Sequence, residues 1–301
     1  MSKQTLITSS DPKGLKFTSL CRDAYDKAKL DDGRAQRLNE NGGEFQAGLR
    51  ELIARFSVSN QFASEEVASS YAYPDEYRGP KPIGEQVDIL AKVFSLSLGF
   101  TSDFIEKVLP TLTLPEGADG WFAIPSLDAV AQRFFPEVTD PAERYCRAVN
   151  LVMEKLGASR KFVNYRKGEL TTDRLRQHAR TLHALDVIAE TQQGDILIVP
   201  AQFGKLHRGQ SVRRAREVMG ANEFGLGAFA VGCMALTHPE RFVRWEQLHV
   251  DCAGDEFAPG AGGGFVDAPL FGFDVGKLGF RTYWFSGARG GCGSVSAFLP
   301  Q

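Results

Sequence analysis

A chain of 301 residues with 43% hydrophobic content is long enough to bury a full core, and its 24% charged fraction and formal charge of -2 exclude a disordered polymer. Five widely spaced cysteines, Cys21, Cys146, Cys233, Cys252 and Cys292, form no CxxC pair, which argues against a disulfide framework or a structural zinc site and fits a reducing cytoplasm. The opening MSKQTLITSSDPKG lacks the apolar core of a signal peptide and no run of 18 apolar residues is present, so the expectation is a soluble cytoplasmic protein with no membrane partner.

Along the chain, apolar periodicity predicts short helices near residues 18–30, 44–56, 84–97 and 102–109, with GLRELIARF the clearest stripe. SSYAYPDEYRGPKP, residues 69–82, places three tyrosines among three prolines, which forbids a regular element and predicts a structured loop. A composition change at residues 111–125 divides a helical N-terminal part (1–115) from a mixed α/β part (116–301). DPAERYCRAVNLVMEKLG then carries Asp140 as N-cap, Pro141 at the first helical position, Glu143 in capping-box position and Gly157 as the stop. KFVNYR predicts a strand, residues 171–190 a long helix burying Leu175, Ala179, Leu182 and Ile188, and DILIVP a buried strand ending at Pro200. Strand, helix, strand implies a parallel crossover. A helix from Ser211, an apolar helix over 228–236 and a strand at LHVDC follow. From Gly254 onward, 12 glycines separate apolar runs such as FGFDV and FRTYWF, the pattern of short strands and tight turns. The fold class is therefore α/β or α+β: a helical N-terminal part followed by a mixed sheet with a parallel β-α-β section and Gly-rich short strands at the C-terminus.

Two stretches carry candidate chemistry. From Arg160 to Arg216, 12 Lys or Arg face 5 acids, so this segment holds +7 in a chain of net -2. Within it, HRGQSVRRAR places Arg213, Arg214 and Arg216 at the start of a helix capped by Ser211, where cations oppose the helix dipole. With Lys205, His207 and Arg208 upstream, they form a candidate anion site: guanidinium forks match phosphate oxygens, and free helix amides add to them. Arg213 and Arg216 are expected outside the core. Internal pairing, for instance with Glu217 or Glu223, is the competing explanation. Arg176, Arg180 and His183 form a second basic stripe on the predicted long helix, which a solvated helix face explains equally well.

QLHVDCAGDE is the second stretch. As a strand it sets Leu248, Val250 and Cys252 on one face and Gln247, His249 and Asp251 on the other, and a turn would return Asp255 and Glu256 to that polar face. His249, Asp251, Asp255 and Glu256 are thus candidates for acid-base chemistry or for a divalent cation, although their spacing is not diagnostic and a polar strand edge explains them as well. GLGAFA spells GxGxxA but follows a predicted helix, so close helix packing accounts for it. His178, His183, His207 and His238 lack zinc-protease spacing, and no phosphate loop or nucleophile elbow is present; the sequence names no cofactor. Three functions fit these features: binding of nucleic acid or another phosphate-bearing ligand through the basic loop and helix, self-association into a homo-oligomer through the basic district, or hydrolase or transferase action on an anionic substrate.

Overall fold

A computed structural model of the chain describes residues 8–57, 59–260 and 262–300. The chain divides into two compact units, Met1–Val58 and Ser59–Gln301. The first holds α1 (Pro12–Ala28), α2 (Asp32–Glu40) and α3 (Gly42–Ser57). No side chain of α1 or α2 is buried, and Leu15, Leu20, Phe45 and Leu52 are exposed.

The second unit begins with a strap, residues 59–67, followed by the tyrosine-proline loop, which forms no regular element. Helices α4 (Ile83–Phe94) and α5 (Gly99–Lys107) precede β1 (Gly120–Pro125), α6 (Leu127–Phe134) and α7 (Pro141–Ser159). Then come β2 (Phe162–Asn164), β3 (Leu175–Gln177), α8 (Ala179–Gln192), β4 (Ile196–Arg208), α9 (Val212–Val218), β5 (Glu223–Gly225) and α10 (Ala228–Thr237). The chain finishes with β6 (His249–Asp251), β7 (Asp255–Phe257), β8 (Asp267–Asp274), β9 (Lys277–Trp284) and β10 (Cys292–Phe298). The strands form one mixed sheet in the order β1-β4-β10-β6-β8-β7-β3, with β5 beside β10 and β9 joining β8 to β2.

The capping signals translate directly: Asp140 accepts from the Glu143 amide at 2.8 Å, and Ser211 accepts from the Arg214 amide at 3.1 Å. Gly157, expected as a stop, lies inside α7, which runs on to Ser159. Three expectations change. Residues 175–177 leave the predicted long helix to pair with β7, so α8 starts at Ala179 and Arg176 is on a strand; the 176, 180, 183 stripe does not form. DILIVP does not end at Pro200. The strand continues to Arg208 because Gln202 bridges its bulge, donating to the Ser294 carbonyl at 2.8 Å while its carbonyl accepts from the Gly204 amide at 2.6 Å. Both neighbours of β4, β1 and β10, are antiparallel to it, so the expected crossover from β2 through α8 is absent; the parallel pairs are β2 with β9 and β6 with β10.

One sheet face is sealed by α4, α7 and α10 over a row of buried rings that includes Phe203, Phe242, Phe271 and Phe280. Helix α10 approaches α7 through Gly232, where a Cβ would lie 2.9 Å from Val152; GLGAFA lies just before it and follows a strand, not the expected helix, with Gly225 ending β5 against Ala253 and Gly227 as the N-cap of α10. On the opposite face α9 packs near the β8 start, with Val212 and Ala215 against Ala268. Period two and the strand register place His249 and Asp251 on that second face with Leu270, Gly272, Gly279, Arg281 and Tyr283, because Asp251 pairs with Leu270 and Leu270 with Arg281.

Candidate functional site

The strap explains the arginines of HRGQSVRRAR. Glu65 accepts from Arg213 Nε at 2.8 Å through one oxygen and 2.7 Å through the other, and from the Ser211 hydroxyl at 2.6 Å. Arg213 also lies over Phe62, 4.3 Å from the ring centre. Arg214 donates to Glu66 at 2.5 Å and to Glu217 at 2.9 Å, and Glu217 in turn accepts from the Gln61 and Phe62 amides. The negative charge that the start of α9 lacks in sequence is therefore supplied from 146 to 148 residues upstream. Two of the leading helix amides are occupied as well, that of Arg213 by the Phe285 carbonyl and that of Arg214 by the Ser211 hydroxyl.

Arg216 departs from the expected exterior position. Its guanidinium is inside, donating to the carbonyls of Ala253 at 2.8 Å and Asp255 at 2.6 Å with Glu256 at 3.6 Å, and burial pulls its pKa down to about 10. His207 is buried against Glu223 at 2.6 Å and Gln210 at 3.1 Å. Arg208 reaches the Tyr71 carbonyl at 3.2 Å, and the exposed Lys205 lies 5.9 Å from the Tyr73 ring centre. Arg176 pairs with Glu256 at 2.7 Å over the Phe265 ring, Arg180 donates to the Met219 and Gly220 carbonyls, and His183 is exposed on α8.

The four polar groups of residues 247–256 do not share a site. Asp255 is fully buried beneath α10, where its carboxylate accepts from Tyr145 Oη at 2.6 Å and the Ala228 amide at 2.6 Å, capping a helix whose own N-cap is Gly227. Burial raises its pKa to about 7 against these donors. Gly227 is required there because a Cβ would meet both the Asp255 carboxylate and the Tyr145 hydroxyl at 2.4 Å. Glu256 serves the two arginines above, and Asp251 accepts from Arg289 at 2.9 Å. Among the described residues no three His, Cys, Asp or Glu side chains stand together as a metal site.

His249 instead belongs to a cationic patch that the sequence reading did not single out. Burial lowers its pKa against the opposing hydrogen bond to the Trp245 carbonyl, and the charges of Arg281, Arg289 and Arg241 add to the lowering. Gly272 leaves room for this ring, since a Cβ there would meet Nδ1 at 2.7 Å. Gly279 does the same for Arg281, with the Tyr165 ring on the other side. Arg281 lies 5.4 Å from the Tyr165 ring centre and Arg289 4.1 Å from that of Tyr283. Both arginines are under-used: Arg281 Nε and Nη2 and Arg289 Nε are buried without a hydrogen-bond partner, and Asp274 stands 3.8 Å from Arg281, beyond hydrogen-bond reach. Tyr165 and Tyr283 are 50% and 43% exposed, so the patch opens to solvent. The signal in sequence was the alternation in KLGFRTYW, which sets Gly279, Arg281 and Tyr283 on one strand face. No family model, curated protein or solved structure matches the chain.

Proposed function

We propose that the protein binds a nucleotide-bearing ligand on the sheet face of His249, Arg281, Arg289, Tyr165 and Tyr283. The observation that carries this reading is a pair of partly exposed guanidinium groups, Arg281 and Arg289, whose hydrogen-bonding capacity is incompletely used, beside two exposed tyrosine rings. Donors of this kind are stabilised by an acceptor-rich partner, and a phosphate offers oxygens in the geometry of a guanidinium fork. Tyrosine rings at this exposure supply stacking surfaces for bases, each worth about 1 to 3 kcal/mol. Anion binding is thereby assigned away from α9, whose Arg213 and Arg214 are held by Glu65, Glu66 and Glu217 and whose Arg216 is turned inward to the Ala253 and Asp255 carbonyls.

Fluorescence anisotropy with a labelled oligothymidylate, and titration with ATP, test the assignment. Arg281→Gln should weaken binding about tenfold and reduce the salt slope by about 0.7, the contribution of one phosphate contact on a single strand. Tyr283→Ala should weaken the oligonucleotide by a similar factor. The proposal is wrong if the parent protein binds neither probe at physiological salt, or if Arg281→Gln binds as the parent does.

A further inference from the structure

A cavity of about 360 Å³ lies away from the arginine patch, on the helical side of the sheet, between α6, α7, α8 and the start of α10. Its walls are apolar: Ile124, Leu127, Leu182, Leu185, Leu197 and Phe229 all line it. Leu182 is 43% exposed despite lying on an amphipathic helix, because its side chain borders the cavity and not the core. The volume falls in the range of small-molecule sites, about 300 to 1,000 Å³, which combine apolar walls with a few polar groups.

Most polar groups of the lining are already engaged. Arg144 donates to the Val138 carbonyl at 2.7 Å and to Asp128 at 3.1 Å. Tyr145 Oη donates to Asp255. Asp186 is different: among the described residues it has no ion pair, and its charged neighbours are Asp128 and Glu190 against a single His183. The lining therefore holds one cation, Arg144, against two carboxylates, and one of those carboxylates is uncompensated.

We propose that this cavity binds a small organic amine, with the hydrocarbon body between α8 and α10 and the ammonium donating to Asp186. A carboxylate ligand of the same shape meets an excess negative charge, and a neutral hydrocarbon forgoes the ion pair. This site is separate from the sheet face of Arg281 and does not depend on ligand binding there.

Three phenylalkyl probes of similar size test it: 4-phenylbutylamine, 4-phenylbutyrate and butylbenzene, titrated into the full chain and followed by NMR chemical-shift changes and calorimetry. The amine should bind about tenfold or more tightly than the carboxylate, as expected for one partly screened ion pair. Asp186→Asn should lower amine affinity about tenfold and leave butylbenzene unchanged. Ala189→Trp, which fills the cavity from α8, should abolish binding of all three probes. Because Asp186 is exposed, Asp186→Asn does not disturb the core, so the charge test stands even if the tryptophan variant folds poorly. Equal binding of amine and carboxylate, amine binding indifferent to Asp186→Asn, or no binding of any probe at millimolar concentration would each overturn the proposal.

Discussion

Removing Glu65 is the most direct perturbation of the strap. Its carboxylate accepts from Arg213 Nε and Nη2 and from the Ser211 hydroxyl, and its side chain is 15% exposed against 33% for Arg213. Hydrogen bonds to charged groups contribute about 1.5 to 3 kcal/mol each net, but Arg213 can turn to water once released, which discounts the loss. Glu65→Ala should therefore destabilise the protein by about 2 to 3 kcal/mol at pH 7, read as a lower midpoint in urea at unchanged m-value. Glu65→Gln, which keeps acceptor oxygen and shape, should cost about half as much. The pH dependence gives a second check. The Arg213 hydrogen bond, opposed by burial and aided by Ser211, holds the Glu65 pKa below its usual value. A depressed pKa means stability that is present above the unfolded value of 4.5 and is lost as pH falls through the folded value. The gap between parent and Glu65→Ala should thus shrink in acid. A variant as stable as the parent at pH 7, or a gap that persists undiminished at about pH 2, would refute the strap as a stabilising ion-pair clasp.

Two further outcomes are expected. Asp255 has a folded pKa raised by burial to about 7, so its contribution to stability is complete below its ordinary value of 3.8 and is lost as pH rises through about 7; denaturation of Asp255→Asn against the parent should show the difference shifting in the variant's favour by up to about 4 kcal/mol between acid and mildly alkaline pH, and a constant difference would exclude that titration. Val275 adopts φ 48° at the tip of the β8–β9 hairpin with 83% of its surface exposed, a left-handed conformation that a β-branched residue resists; Val275→Asn should raise stability by about 1 kcal/mol in thermal or urea unfolding, and a loss would show that the valine makes a contact worth more than its strain.

How much of this was legible in the sequence depends on the range over which each signal acts. Helix α7 could be read from Asp140, Pro141 and Glu143 because capping is settled within one turn, and Ser211 announced α9 for the same reason. The core side of QLHVDCAGDE could be read as well, since Leu248, Val250 and Cys252 alternate and are buried. The α/β class followed from the mixture of helical and alternating patterns. By contrast, the boundary between the 171–190 helix and β3 depends on Phe257, Glu256 and Asp255, which pair with Leu175, Arg176 and Gln177 from some 80 residues away. Helix propensity around Arg176 was overridden by that ladder.

Tertiary structure alone decided the role of the charged residues. The excess of positive charge between Arg160 and Arg216 was visible in composition, but a charge's partner is chosen by the fold, and Glu65, Glu66 and Glu256 reach the arginines from distant segments. The same holds for Asp255, which a local reading placed beside His249 and the fold placed under Tyr145 and the start of α10. Conversely, Arg281 and Arg289 are unremarkable in sequence, and their uncompensated nitrogens appear only when β6, β8 and β9 lie side by side. The sequence by itself determined caps, turns and the apolar faces of strands, because those depend on neighbours within a few residues. Only the folded chain determined which ions are paired and which are left with donors to offer, because an ion pair is set by approach in space across any separation along the chain.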